Sequence, residues 1–352
     1  MPRGGTGPRS RWQSLACRLA ESLPLASLHP AVVRAARTTS KRNSSGWAVA
    51  LSGGSDSVAL LLLIWVHWPE QRNRLTVMHF NHRLRGKDSD DDSKFCRSVC
   101  RSLTVRFRTE RWKQKDEHRI TEANLRAARL DFFRRVMAKE NCSVLWLGHQ
   151  QDDIAETMLM RLARGSGLGG LIAPRPVHRF QGNRWHLRPL LTQRKQVIAG
   201  ILRDLGIPWR EDRSNAGDDY LRNRMRHRVL KAWQRAEPLR DVVACVADAR
   251  EKLEEDATAL DELTDALRAL RSGRLDLRKI KGAPKALVRR VLHRWRLALG
   301  DRCGQLSRQA FDTLLIAVMV GKPTRFSLGN AGFAVIRGFV LRFEAAVPKV
   351  SR

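Results

Sequence analysis

Val49-Ala50-Leu51-Ser52-Gly53-Gly54-Ser55-Asp56-Ser57 is a short apolar run that empties into small residues and then opens onto a second apolar stretch, Val58 to Val66. The pattern is that of a strand, a tight loop and a helix. Gly53 and Gly54 permit positive φ and carry no Cβ, so successive main-chain N–H groups can converge on one point. Ser52, Ser55 and Ser57 add hydroxyls, and the helix N-terminus adds partial positive charge. Such a loop suits an anion, and a pyrophosphate in particular. Asp56 belongs in an anion site only if it ligates a metal that neutralises the phosphates, which makes it the candidate Mg²⁺ ligand. The alternative is a plain strand-to-helix turn with Asp56 or Ser55 as N-cap. The lysine-bearing G-x-x-x-x-G-K loop of common triphosphatases does not occur in the sequence.

Outward from the loop, strand-like runs Trp47-Leu51, Leu75-Phe80, Val105-Arg108 and Val144-Leu147 alternate with helical stretches Ser57-Trp68, Asp90-Leu103, Glu122-Lys139 and Asp152-Ala163. Strict alternation predicts an α/β fold with a parallel, Rossmann-like sheet and helices on both faces. The unbroken run Ala48-Val49-Ala50-Leu51 fits burial on both sides. After Arg226 the texture changes. A charged helical pattern from Leu239 to Leu270 is followed by an Arg-rich helix over Pro284-Leu299 and another over Gln309-Val320. Strand-like runs Arg325-Leu328, Phe333-Arg337 and Val340-Phe343 close the chain. The expected organisation is a basic N-terminal extension over 1–45, a catalytic α/β domain over 46–220, a basic connecting helix over 221–236, and a smaller α+β domain over 237–352. The extension is rich in Arg and Ser. It reads either as an organellar leader or, from the Leu and Ala spacing of Trp12 to Ala36, as a helix packed on the core.

Sixty-six Lys+Arg against 35 Asp+Glu give a formal charge of +31. That excess costs self-repulsion in the free protein and becomes useful against a polyanion. Nucleic acid is the expected partner, although a genome-wide preference for Arg codons also accounts for part of the bias. No basic stretch carries an interfacial apolar face, and Val58 to Val66 is too short for a membrane span, so no membrane partner is expected. The six cysteines are sparse, and Cys96 and Cys100 are spaced C-x-x-x-C instead of C-x-x-C. Buried thiols in a reducing compartment, and hence a cytoplasmic location, follow as expectations. Oligomeric state stays open, a homodimer included.

Further candidates cluster after the fourth strand. Asp152, Asp153 and Glu156 fall within about one helical turn, at the edge where an open parallel sheet binds ligands. They can ligate Mg²⁺, hold a substrate ammonium, or form a variant capping box over Asp153-x-x-Glu156. Arg164-Gly165-Ser166-Gly167 is flexible enough to shape a pocket or to be a surface loop. Glu122 and Arg126 share a helical face and suit either a site or an i,i+4 ion pair. Arg188, ahead of Pro189, suits phosphate contact and solvent equally. Arg222, Arg224, Arg226 and Arg228 recur at every second position, so they cannot all share one helical face.

The loop Ser52-Gly53-Gly54-Ser55-Asp56-Ser57 resembles the SGGxDS signature of the PP-loop (HUP-type) ATP pyrophosphatase superfamily. Four more stretches, in order, resemble the tRNA(Ile)-lysidine synthetases. Phe80-Asn81-His82-Arg83-Leu84-Arg85-Gly86 is similar to their (D/N)HGLR segment, with Arg83 where Gly is usual. Glu122-Ala123-Asn124-Leu125-Arg126-Ala127-Ala128-Arg129-Leu130 is similar to their EAxARxxRY helix, with Leu130 replacing Tyr. Asp152-Asp153-Ile154-Ala155-Glu156-Thr157 with Arg164-Gly165-Ser166-Gly167 looks like their DDxxET…RGSG block. Glu211-Asp212-Arg213-Ser214-Asn215 with Tyr220, Arg222, Asn223, Arg224 and Arg226 resembles EDxSN…YxRNxxR.

The resemblance implies ATP and Mg²⁺ as cofactors, with Ser52 to Ser57 on the pyrophosphate and Asp56, Asp153 and Glu156 as catalytic residues. It implies substrate contacts from His82, Glu122, Arg126, Asp152, Arg164, Gly165, Ser166, Gly167 and Arg188, and tRNA contacts from Arg222, Arg224 and Arg226. The implied reaction adenylates the C2 oxygen of the wobble cytidine in a CAU-anticodon tRNA(Ile), after which free L-lysine displaces AMP. The rivals are a PP-loop 2-thiolase, which needs reactive cysteines that this pattern does not supply, and a basic RNA-binding protein with a vestigial nucleotide site.

Overall fold

The structure, a computed structural model, describes residues 10–42, 45–83, 86–112, 121–180, 184–211, 221–300 and 306–346. Leu84 and Arg85 of the second expected motif, and Asp212 to Tyr220 of the last, lie outside the described residues, as does the side chain of Glu122. The chain forms two compact units, Met1–Glu251 and Lys252–Arg352.

The first unit opens with helices α1 (Arg11–Ser22) and α2 (Pro30–Arg42), then β1 (Gly46–Ala50), α3 (Ser55–His67), β2 (Leu75–Asn81), α4 (Lys87–Ser102), β3 (Arg106–Arg111), α5 (Glu122–Lys139), β4 (Cys142–Trp146) and α6 (Gln151–Leu162). A short α7 (Leu168–Leu171) leads to a hairpin, β5 (Val177–Phe180) and β6 (Arg184–Leu187), and then to α8 (Lys195–Asp204). One helical rod follows: α9 (Leu221–Arg224), a π-helical turn over Met225–Leu230, and α10 (Lys231–Ala236). The sheet runs β3-β2-β1-β4-β6-β5, parallel throughout except for edge strand β5. That antiparallel edge departs from the all-parallel expectation. Its residues, Val177-His178-Arg179-Phe180, carry no apolar run to reveal a strand.

Two-residue alternation along β1 divides the core. Trp47 and Val49 join α1, α3 and α4 on one face, whereas Ala48 joins Met78, Leu145, Phe132 and Phe133 beneath α5 on the other. Trp47, Trp68 and Trp146 meet at ring-centroid distances of 5.0 to 5.7 Å. Helix α3 has ten buried residues and therefore behaves as the interior helix of the layer. Truncating one of its fully buried leucines, Leu61→Ala, is expected to cost about 2–5 kcal/mol. Residues 10–42 enter the same core through Leu15, Ala16, Leu19, Val32 and Ala36. A capping box between Ser10 and Gln13 starts α1, and Ser10 Oγ also donates to the Ser102 carbonyl at the end of α4.

Helix α11 (Val242–Ala266) contains the division between the units at 251/252; the boundary expected from sequence, 236/237, falls at the end of α10. The second unit continues with β7 (Leu270–Arg271), β8 (Arg274–Asp276), α12 (Lys285–Leu299), α13 (Arg308–Val320), β9 (Thr324–Ser327), β10 (Gly332–Arg337) and β11 (Val340–Ala345). Its antiparallel sheet, ordered β7-β8-β11-β10-β9, packs on α12 and α13 around Trp295, Leu292, Leu315 and Leu341. Among the described residues no helix is long and apolar enough to cross a membrane.

Candidate active site

The neighbours of β1 are β2, which follows it, and β4, whose connection crosses to the other side. Where the strand order reverses, the loops after β1 and β4 diverge and leave a crevice, the usual ligand position in a doubly wound sheet. The SGGSDS loop and the first turn of α6 face each other there. An open cleft of about 2350 Å³ is lined by Ser52, Gly54, Ser55, Asp56 and Ser57 of this loop.

Gly53 has φ +99°, so the turn needs glycine at that point, whereas Gly54 is the extended N-cap of α3 at φ −71°. Only one of the two glycines takes the special conformation expected of the pair. Ser57 organises the loop. Its Oγ lies 3.2 Å from both the Ser52 and Gly53 amides, receives the Ser52 hydroxyl at 3.0 Å and donates to the Gly54 carbonyl at 2.9 Å. Two amides expected to point outward are thus turned onto Ser57. The donors left for an anion are the first-turn amides of α3, which by helix geometry have no intrahelical acceptor. From the far side of the loop, Arg210 donates its amide to the Gly53 carbonyl at 2.9 Å, and its side chain bonds Asp92 Oδ1 at 2.8 Å.

Asp56 accepts from Ser55 Oγ at 3.2 Å. Burial, and next the negative charge of Asp153, push its carboxyl up to about 6; Lys195 opposes them, and Asp152 adds to the rise. A half-buried acid that ionises at this cost is a site short of positive charge.

Sequence reasoning passed over Gly148. Its position, just after the strand run ending at Leu147, was the available signal. A Cβ there would stand 3.2 Å from the carbonyl carbon and oxygen of Asp56, so the β4–α6 loop touches the first turn of α3 without side-chain padding. His149 was missed as well. Its Nδ1 is buried without a hydrogen-bond partner, and burial, then Arg188, Arg222, Arg129 and Arg126, hold it neutral far below the usual imidazole range.

The acidic trio divides its labour. Asp152 Oδ2 accepts the Lys195 amide at 2.9 Å, and the carboxylate also meets Arg194, tying the start of α8 to α6. Asp153 Oδ2 accepts the Gln150 amide at 3.0 Å, and Gln150 Oε1 accepts the Asp152 amide at 2.6 Å, so the reciprocal cap of α6 pairs Gln150 with Asp153 instead of Asp153 with Glu156. The other oxygen of Asp153 meets Arg222 Nη2 at 2.5 Å. Glu156 is fully buried, with Arg222 Nε and Arg226 Nε each at 2.5 Å. The i,i+4 pair Arg222 and Arg226 therefore clamps Glu156, while Arg224, two residues on from Arg222, falls off that face.

His82 and Arg126 line the cleft, and the rings of Phe80 and His82 meet edge-on at 4.9 Å. Arg164 is exposed at the cleft rim. The turn after it closes through the Gly165 and Ser166 amides, each 2.9 Å from carbonyls of α6, and Gly167 caps α7. Arg188 is 9% exposed and donates to the Arg175 carbonyl at 2.8 Å. Burial, then Arg126, lower its guanidinium to about 10. Cys96 and Cys100 are sealed in the core. Burial pushes both thiols up, Cys100 to about 12, and Cys96 Sγ lies beneath Gly53.

A small-residue loop at the switch point, opened by a glycine and backed by an acid, defines an α/β phosphate-binding class. The chain belongs to the PP-loop domain family, which matches residues 28–233. It is 37% identical to the tRNA(Ile)-lysidine synthase of Geobacter sulfurreducens over 275 residues, covering 75% of this chain and 56% of that protein. It is 36% identical to the Bacillus subtilis tRNA(Ile)-lysidine synthase, covering 61% and 46%, and 39% identical to that of Solibacter usitatus, covering 52% and 40%. The chain spans about half the length of the curated relatives it matches. A U34-tRNA thiolase from Methanococcus maripaludis shares the fold, with TM-score 0.51 and 16% identity over 69% of this chain and 78% of that one.

Proposed function

We propose that this chain is an ATP-dependent ligase that joins free L-lysine to C2 of the wobble cytidine in a CAU-anticodon tRNA(Ile). The observation that carries the reading is Asp56, a half-buried acid in the first turn of α3 that lines the switch-point cleft with Lys195 and feels the charge of Asp153. The similarity to lysidine synthases over the same unit supports the substrate assignment.

In this reading the first-turn amides of α3 bind the β- and γ-phosphates, and the Ser52 and Ser55 hydroxyls turn from Ser57 and Asp56 to join them. The cytidine C2 oxygen attacks the α-phosphorus, the α–β bridge breaks and pyrophosphate leaves. The lysine ε-amine then attacks C2, loses its proton, and expels AMP together with the C2 oxygen. Asp153, beside Asp56 at the crevice, is the candidate acceptor of that proton. Glu156, saturated by two guanidinium groups, acts through them by holding Arg222 and Arg226 against α6.

Mg²⁺ fits the residues present. Among the described residues no three His, Cys, Asp or Glu side chains form a preformed cage. One carboxylate shared with substrate phosphates is the usual magnesium arrangement, and Asp56 is that carboxylate. When bound, the ion would neutralise charge on the departing pyrophosphate. The thiolase rival requires accessible sulfur, and Cys96 and Cys100 are closed off within the core.

The test is direct. Protein, Mg-ATP, labelled lysine and CAU-anticodon tRNA(Ile) transcripts should yield lysine-labelled RNA, AMP and pyrophosphate. Label that appears only without ATP, or pyrophosphate release that ignores RNA, would remove the assignment. Failure of a non-hydrolysable ATP analogue to raise the melting temperature would favour a vestigial site.

A further inference from the structure

The β5–β6 hairpin forms a wall of the cleft beyond β4. Pairing sets His178 opposite His186 and Phe180 opposite Arg184, so these four side chains share one face of the hairpin. All four line the cleft. The rings form a row: His178 and Phe180 stack at 4.2 Å with planes 20° apart, and Phe180 meets His186 at 4.4 Å and 53°. Phe180 is still 40% exposed. Burial, then the positive charge of Arg188, hold both histidines neutral, His186 at about 3. Burial thus disfavours charge on both imidazoles, and His186 is uncharged at neutral pH.

Cations surround the row. Among the described residues Arg126, Arg184 and Arg188 meet no carboxylate, and the Nε of Arg188 is buried without a hydrogen-bond partner. Rings in a row flanked by arginines that meet no carboxylate are the arrangement that single-stranded nucleic acid uses: bases stack on the rings, phosphates meet the guanidinium groups. A paired duplex offers phosphates but hides its base faces, and would leave the rings unused.

We propose that the β5–β6 hairpin is a stacking platform for an unpaired nucleobase of the RNA substrate, adjacent to the base that enters the phosphate-loop crevice. Phe180 and His178 take the base, Arg126 and Arg184 its phosphates, and buried Arg188 supplies positive potential from behind. The inference rests on the RNA reading above and adds the site that holds the loop open. A splayed loop needs a surface for each displaced base, because unstacking costs a few kcal/mol unless another ring replaces the lost neighbour.

The experiment compares the full chain with Phe180→Ala, Phe180→Leu and Phe180→Trp. Fluorescence anisotropy measures binding to an RNA stem-loop with an open loop and to a fully paired RNA of equal length. Phe180→Ala and Phe180→Leu should weaken stem-loop binding about 5- to 100-fold and leave duplex binding unchanged, while Phe180→Trp restores it. Equal losses for both RNAs, no loss with either, or a loss seen only for an ATP analogue would each overturn the platform. Leucine keeps apolar volume without the ring, so an alanine variant that fails to fold does not blunt the test. Lysine transfer is scored separately. If the stem-loop effect holds while no lysine is transferred, the platform stands and the ligase reading fails.

Discussion

Gly148 and Asp56 touch through backbone alone: a Cβ on Gly148 would sit 3.2 Å from the Asp56 carbonyl. This contact sets the distance between the two loops that make the crevice, so it fixes how far Asp56 stands from Asp153. Gly148→Ala must push the first turn of α3 away. Overpacking of this kind costs about 1–3 kcal/mol, and the expected result is a modest fall in melting temperature with a much larger loss of pyrophosphate release. Steady-state kinetics beside thermal melts separate the two.

Asp56 makes nucleotide-free stability depend on pH in an unusual direction. Its folded carboxyl is pushed up to about 6 from an ordinary 3.8, by burial and then by Asp153. Between these values the native state holds a proton that the unfolded chain has released. Stability from this group therefore falls as pH rises through that window and levels off above about 6. Asp56→Asn should raise the melting temperature near pH 7 and flatten the slope, while abolishing pyrophosphate release. Melting temperatures that rise with pH across the window in wild type, with the slope unchanged in the variant, would contradict the placement of this acid.

Glu156 is a clamp. Removing its charge leaves Arg222 and Arg226 facing a buried neutral amide, and breaking a buried pair costs about 3–5 kcal/mol. Glu156→Gln should lose stability of that order, read from urea unfolding. Arg226→Met in the same background should recover part of it, since the uncompensated cation is then gone.

Gly53→Ala tests the loop itself. At φ +99° a Cβ is strained, and it would also meet Cys96 Sγ at 3.4 Å and Arg210 at 3.5 Å. The strain is worth about 1–3 kcal/mol. Calorimetry should show nucleotide affinity falling by more than an order of magnitude, with Gly54→Ala, whose φ is −71°, far milder.

Much of the first unit was legible because its signals are local. β1, α3, α5 and α6 announce themselves through apolar runs, helical spacing and caps. The loop was legible because glycine and aspartate there have few other uses. The clamp was not: Asp153-x-x-Glu156 has the spacing of a helix cap, and only tertiary packing gives the cap to Gln150 and Glu156 to two arginines. Gly148 and His149 belong to the same class, since close approach and a missing partner are properties of contacts between distant segments. The hairpin was invisible for a further reason. Its cleft face carries three rings and an arginine, His178, Phe180, His186 and Arg184, a set that serves a ligand and carries no core signal.

The bond from the Arg210 amide to the Gly53 carbonyl joins the phosphate loop to a residue that is synthesised long after it. A growing chain that has emerged only as far as α6 contains every residue of the loop and of the acidic turn, yet lacks the strap that braces them. The Gly53 carbonyl therefore gains its amide partner only once Arg210 has been added to the chain.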